Sequence, residues 1–261
     1  MHNIKLIIAY DGKEYKGWQK TRMGPSIEEV LQAAIEQIVQ HPAHLQAASR
    51  TDAGVHAKGQ AVNFLTSKAL NLPQFHISLN SLLPKDIVVL SARTMPSSFH
   101  PTLDCIGKEY RYYACMGPTQ LPHDRFYSWH IHYPLSLETM RKAIPLFLGK
   151  HNFASFCNVK KNARYNDYDR EIQLLELIEL EGQRLCFRVI GNHFLYKMVR
   201  TIVGTLADIG RGKISLEELP SIMQSVSRPF AGVTAPAHGL FLHKVFYDNH
   251  HYVRGLLMEK T

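Results

Sequence analysis

The sequence predicts an α/β fold of two lobes sharing a mixed, largely antiparallel sheet. Three observations carry that reading. Strand-like and helix-like patterns alternate along the 261 residues. The alternation echoes weakly after about residue 105, and no short repeat or low-complexity tract interrupts it. The expected division is an N-terminal lobe over 1–104 and a C-terminal lobe over 105–261.

In the first lobe, Ile4, Leu6 and Ile8 alternate along a strand that enters the Asp11-Gly12 turn. Ser26 and Glu29 form a capping box. It opens a helix whose apolar face is Ile27, Val30, Leu31, Ala34, Ile35, Ile38 and Val39. A strand pattern over 44–49 leads into the loop SRTDAGVHAKG, and 61–66 reads as the returning strand. Pro73 starts a second helix with Phe75, Leu79, Leu82 and Leu83 inward, stopped by Pro84. The run 87–90 reads as a buried strand.

In the second lobe, Tyr110, Tyr112, Ala114 and Met116 share one strand face, and 126–133 reads as another strand. Ser136 caps a helix carrying Met140, Ile144 and Phe147, although Pro145 fits a helix interior badly. Residues 171–190 read as a hairpin around Glu181-Gly182. A helix over 194–209, a short one capped by Ser215 and Glu218, and a last strand over 240–247 complete the lobe.

Composition narrows the function classes. There are 30 Lys+Arg against 22 Asp+Glu, a formal net charge of +8, which nominates a polyanionic partner. The surplus is uneven, net +2 over 1–104 and net +6 over 105–261. No apolar run reaches the ~18 residues of a membrane span, and no signal-peptide pattern opens the chain. The four cysteines (Cys105, Cys115, Cys157 and Cys186) are scattered, as expected of thiols in a reducing, cytoplasmic setting.

Several segments have the residue types for chemistry. Asp52, in a loop between strand patterns with Gly54 beside it, suits a carboxylate nucleophile or base. Asp in such loops also serves as an Asx-turn or N-cap residue. Arg50, two positions away, suits phosphate or the carboxylate itself. Tyr110 on its strand offers a stacking face and a hydroxyl, or ordinary sheet packing. Arg200 lies in an apolar helical pattern, where it either snorkels to solvent or pairs with a carboxylate such as Asp52. Between residues 157 and 170, Lys160, Lys161, Arg164 and Arg170 interleave with Tyr165 and Tyr168. That pattern suits a loop tracking RNA phosphates, or a solvated surface loop. His130 with His132, and His41 with His44, have no evident third metal ligand nearby in sequence. No phosphate-binding Gly-rich loop or dinucleotide fingerprint occurs, so neither metal nor nucleotide cofactor is expected.

The run SRTDAGVHAKGQAVNF (49–64) resembles the catalytic loop of the TruA-type tRNA pseudouridine synthases. The similarity continues through YKGWQ (15–19), LNSLLPKDI (79–87), KEYRYY (108–113), GKHNFASF (149–156), GNHFLYKMVRTIVG (191–204) and APAHGLFLHKVFY (235–247). The resemblance implies a homodimer that holds tRNA and isomerises uridines at tRNA positions 38, 39 and 40 of the anticodon stem and loop, without a cofactor. It implies that Asp52 is the nucleophile, Arg200 its ionic partner, Tyr110 the residue stacking on the target base, and Arg50 the filler of the space that base vacates. Phe99-His100-Pro101-Thr102 departs from the family's Ala-Arg pair after Phe-His, so a basic RNA contact is expected from elsewhere, with Lys108 as the candidate. Two other classes compete: a non-catalytic RNA-binding or tRNA-folding module using the same basic surface, and a metal-dependent nuclease or deaminase, which lacks a ligand cluster in the sequence.

Overall fold

The computed structural model describes residues 1–158, 167–225 and 231–257. The predicted α/β class with a largely antiparallel mixed sheet is the architecture observed. The chain divides into two compact units, Met1–Ile106 with Phe241–His251, and Gly107–Leu240 with Tyr252–Thr261.

In the first unit, β1 (His2–Tyr10) pairs antiparallel with both β3 (His56–Thr66) and β4 (Ile87–Met95). β2 (Gln46–Ala47) pairs with β3 on the way in, and β10 (Leu240–Phe246) runs parallel to β3. Period-2 alternation in β1 buries Ile4, Leu6, Ile8 and Tyr10 on one face. α1 (Ile27–Val39) starts as its capping residue dictates, with the Ser26 hydroxyl accepting from the Glu29 N–H at 3.3 Å. It buries Ile27, Leu31, Ala34, Ile35 and Val39. α2 (Leu72–Leu82) is capped by Asn71 and packs Phe75 against Phe64 of β3, with ring centroids 5.9 Å apart.

In the second unit, β5 (Gly107–Met116), β9 (Arg184–Gly191), β8 (Asp169–Leu180) and β7 (Gly149–Asn152) follow one another as antiparallel neighbours. The short β6 (Trp129–Ile131) runs parallel to β5. The β8–β9 turn uses Gly182 and Gln183 at positive φ, as the predicted hairpin requires. α3 (Leu137–Ala143) stops before Pro145, which a 3₁₀ turn over Ile144–Phe147 accommodates near its start. α4 (Met198–Gly210) is buried along nearly its whole length, and α5 (Leu219–Gln224) follows. The Ser215–Glu218 box forms, Ser215 N–H donating to the Glu218 carboxylate at 2.6 Å, but it closes a turn just ahead of α5.

Four expectations need correction. The 44–49 strand shrinks to two residues, and β3 begins at His56, inside the predicted loop. The 126–133 strand shrinks to β6, because 124–128 is occupied by turns. The 87–90 run is not buried on both sides: β4 is an edge strand, so Val88 and Leu90 face solvent, and Leu82 of α2 is exposed as well. The 194–209 helix starts at Met198, after Lys197 in the left-handed region; Leu195 is buried as a loop residue and so prolongs the apolar periodicity. α6 (Asn249–Leu257) has no counterpart among the predicted elements, although Asp248 accepts the His251 N–H at 2.8 Å as a capping residue does.

Candidate active site

Asp52 lies in the first unit, between β2 and β3, in a loop fixed at both ends and in the middle. At the entry, the buried Gln60 side chain donates to the Ser49 carbonyl at 2.6 Å and accepts the Ser49 N–H at 3.2 Å. In the middle, the Thr51 hydroxyl shares a 2.7 Å hydrogen bond with the Tyr10 hydroxyl, and the Thr51 carbonyl accepts the Trp18 N–H at 3.0 Å. Gly17 makes that second contact possible. Its φ is +96°, and a Cβ there would stand 2.6 Å from the Thr51 oxygen, so any side chain at this position strains the contact. At the exit, Val55 N–H donates to the Asp52 carbonyl at 3.1 Å, closing a turn with Gly54 at φ +77°. The chain then enters β3 at His56, whose buried ring stacks on Phe241 at 4.5 Å. Its Nδ1 accepts the Gly12 N–H at 3.1 Å and lies 3.0 Å from the Asp11 carboxylate.

The outcome is a half-buried carboxylate on a backbone held by its neighbours on either side. Arg50 is exposed in the same loop. Tyr10, Gly17 and Gln60 were not singled out as functional from the sequence. YKGWQ placed Gly17, and the run over 49–64 placed Gln60, among the family-like segments, and no local pattern links Tyr10 to the loop.

Tyr110 and Arg200 lie in the second unit. Tyr110, opposite Val189 in the β5–β9 register, is buried and meets Phe194 edge-on at 5.1 Å. Lys108 is on the same strand face and only 7 % exposed, which limits it as a surface RNA contact. His193, beside Phe194, is held below the ordinary histidine range by burial first and then by Lys108 and Arg170.

Arg200 is half-buried in the first turn of α4, and its Nε donates to the Ala235 carbonyl at 2.7 Å. Its charge reaches two neighbours absent from the sequence-derived candidates. Burial pushes the Tyr112 phenol well above its usual value, against the pull of Arg200. Burial also lowers His238, whose Nε2 lies 3.1 Å from the Ser128 carbonyl, and Arg200 lowers it further. Lys160, Lys161 and Arg164 lie outside the described residues.

Among the described residues, one group has metal-ligand character: Asp248, His250 and His251, exposed, with ligand atoms within 4.8 Å of one another. Asp248 is already engaged there in capping α6. His130 Nε2 lies 2.8 Å from the Gly117 carbonyl, and His41 bridges the Pro42 carbonyl and the Thr66 hydroxyl. All four cysteines are buried, and none is in a disulfide.

Comparison with known proteins bears on this arrangement. A family model described as tRNA pseudouridine synthase matches residues 6–103 and 143–248. The tRNA pseudouridine synthase A 2 of Protochlamydia amoebophila is 60% identical over 248 residues, covering 95% of each chain. The tRNA pseudouridine synthase A 1 of Bacillus cereus is 40% identical over 252 residues, covering 95% of this chain and all of its own. Among solved structures, an archaeal box H/ACA sRNP Nop10–Cbf5 complex overlaps 79% of this chain and 43% of its own, with 14% identity and a TM-score of 0.37.

Proposed function

The chain belongs to the tRNA pseudouridine synthase family, a family of isomerases, and from that premise we propose that it converts uridine to pseudouridine at positions 38, 39 and 40 of the tRNA anticodon stem and loop. The reaction breaks the N1–C1′ glycosidic bond, turns the uracil over and forms a C5–C1′ bond. The proton lost from C5 is balanced by one gained at N1. Nothing is oxidised and no group is donated, so the chemistry can run on side chains alone.

Asp52 supplies the nucleophile, forming a covalent intermediate that keeps the detached uracil in place. Arg200 pairs with the carboxylate and favours its ionised form. Tyr110 stacks on the flipped base and takes part in removing the C5 proton. Arg50, exposed on the Asp52 loop, enters the space the base leaves. Lys160, Lys161 and Arg164 track phosphates. The family reading extends to a cytoplasmic homodimer holding one tRNA across both subunits.

The observation that carries the reading is the fixing of Asp52 through Thr51. A nucleophile must stand still at the reacting carbon, and a loop pinned by Tyr10, Gln60 and Trp18 supports that. The test is a pseudouridine map of one tRNA incubated with the wild type and with Asp52→Asn. Removal of a nucleophile is expected to cost roughly 10³-fold or more in rate while tRNA affinity survives. An active Asn variant overturns Asp52 as nucleophile. A wild type that binds tRNA without modifying it favours the RNA-binding module instead.

A further inference from the structure

Residues 232–236 run alongside α4, and four consecutive ones, Gly232 to Ala235, are each tied to it. Gly232 N–H donates to the Thr205 hydroxyl at 3.0 Å, and Val233 N–H to the Asp208 carboxylate at 3.2 Å. The Thr234 and Thr201 hydroxyls stand 3.5 Å apart. Ala235 and Arg200 bond reciprocally, Ala235 N–H to the Arg200 carbonyl at 3.1 Å and Arg200 Nε–H to the Ala235 carbonyl at 2.7 Å. The fit against the helix is steric as well. A Cβ on Gly204 would stand 1.7 Å from the Val233 oxygen, so any side chain there would lift the segment away. The buried Asp208 carries its charge with Arg211 at 3.2 Å and Lys213 at 3.6 Å. At its far end the segment reaches β5, where the Pro236 carbonyl accepts the Tyr112 hydroxyl at 2.9 Å. Tyr112 and Tyr110 are two apart on the same strand face.

We propose that 232–236 is a strap that fixes the direction of the Arg200 guanidinium, with Thr205, Asp208 and Tyr112 as positioning residues acting through it. The physical need is plain. An arginine side chain has four rotatable torsions and loses its aim unless something holds the Nε end, and the Ala235 carbonyl does so. That carbonyl is only as steady as the strap, and the strap is seated by Thr205 and Asp208 on α4 and by Tyr112 on β5. The importance of the aim for catalysis rests on the role proposed above for Arg200.

The test uses full-length protein labelled with ¹⁵N-arginine. The Nε–H resonance of Arg200, assigned by its disappearance in Arg200→Lys, reports solvent exchange at the strap contact, and single-turnover pseudouridine formation is measured in parallel. The strap predicts a protected Nε–H in the wild type. Thr205→Val is expected to speed its exchange about tenfold, the scale of one lost hydrogen bond, while Thr205→Ser preserves protection. Tyr112→Phe, which keeps the ring and frees only the Pro236 end, gives a smaller rise in exchange and serves if Thr205→Val folds poorly. The expected kinetic partner of lost protection is a rate down about five- to tenfold, with tRNA affinity within about twofold. Unchanged protection in Thr205→Val and Tyr112→Phe overturns the strap. Lost protection with an unchanged rate leaves the strap standing and overturns the catalytic role of Arg200.

Discussion

The Asp52 loop and the Arg200 helix fix their charged groups in opposite ways. In the Asp52 loop, backbone and neutral hydroxyls are pinned: Thr51 by Tyr10 and Trp18, Ser49 by Gln60, and the Asp52 carbonyl by the Val55 N–H. Around Arg200 the side chain itself is clipped, at Nε, by the Ala235 carbonyl. Side-chain length explains the contrast. An aspartate has two torsions, so placing its backbone nearly places its carboxylate, whereas a placed arginine backbone leaves the guanidinium free to sweep. The second unit also settles charge with charge. On the other face of β5, Glu109 accepts from Arg111 at 2.7 Å and from Arg188 at 3.0 Å, and Arg188 reaches Glu176 at 3.2 Å and the Gly255 carbonyl.

The largest effect is expected where that charged network is broken. Glu109 and Arg188 are each only 3 % exposed, so Glu109→Ala leaves a buried guanidinium short of its counter-charge. A loss of about 3–5 kcal/mol is expected, read from urea unfolding. The pH dependence follows from the same pair. Burial pushes the Glu109 carboxyl up, but the hydrogen bonds and charges of Arg188 and Arg111 outweigh it and hold the group below the ordinary glutamate value. A carboxyl lowered on folding contributes stability that is fully present above its unfolded pKa, about 4.3, and is lost as pH falls through the folded value. The wild type should therefore lose stability below about pH 4.3, and Glu109→Gln should flatten that part of the profile. A profile equally steep in both proteins would move the acid sensitivity elsewhere.

The next effect sharpens the contrast from the other side. Gly17→Ala introduces no charge, yet it forces an L-residue to φ +96° and sets a methyl against the Thr51 oxygen. The expected cost is roughly 2 kcal/mol of stability. The rate of pseudouridine formation should fall by at least about tenfold, because displacing Thr51 displaces Asp52 with it. A variant with lowered stability and an undiminished rate would show that the loop tolerates movement.

How much of this was legible in the sequence depends on how far apart the partners lie. α1 was readable because its signals are local, a Ser26 cap and an apolar stripe within thirteen residues. The start of α4 was not, since Leu195 is buried as a loop residue and continues the helical period past the Lys197 break. Val88 and Leu90 read as core because β4's place at a sheet edge is set by strand order, which hydropathy does not encode. α6 had its Asp248 cap in plain view, but the polar run after it hides the helix. Asp52 stood out through resemblance more than through physics, an Asp in a loop being commonplace. The strap was invisible for a plain reason: its bonds to α4 join residues 25 to 35 positions apart.

The smallest expected effect tests whether the Asp52 loop is held by the hydroxyl pair or by the backbone contact beside it. Tyr10 and Thr51 are both buried and share one 2.7 Å bond in which either oxygen is the donor. Tyr10→Phe keeps the ring in the core and leaves the Thr51 hydroxyl without that partner, at an expected cost of about 1 kcal/mol. Thr51→Val removes the other half. If the pair interacts mainly with itself, the double variant costs less than the two single changes added together, because neither buried hydroxyl is then left unmatched. The Trp18 N–H still holds the Thr51 carbonyl in all three proteins. The rate should therefore drop only severalfold in Tyr10→Phe and recover part of the way in the double variant. A rate loss in Tyr10→Phe as large as that of Gly17→Ala, with the double variant costing less than the sum, would mean that the hydroxyl pair, and not the backbone contact, sets the position of Asp52.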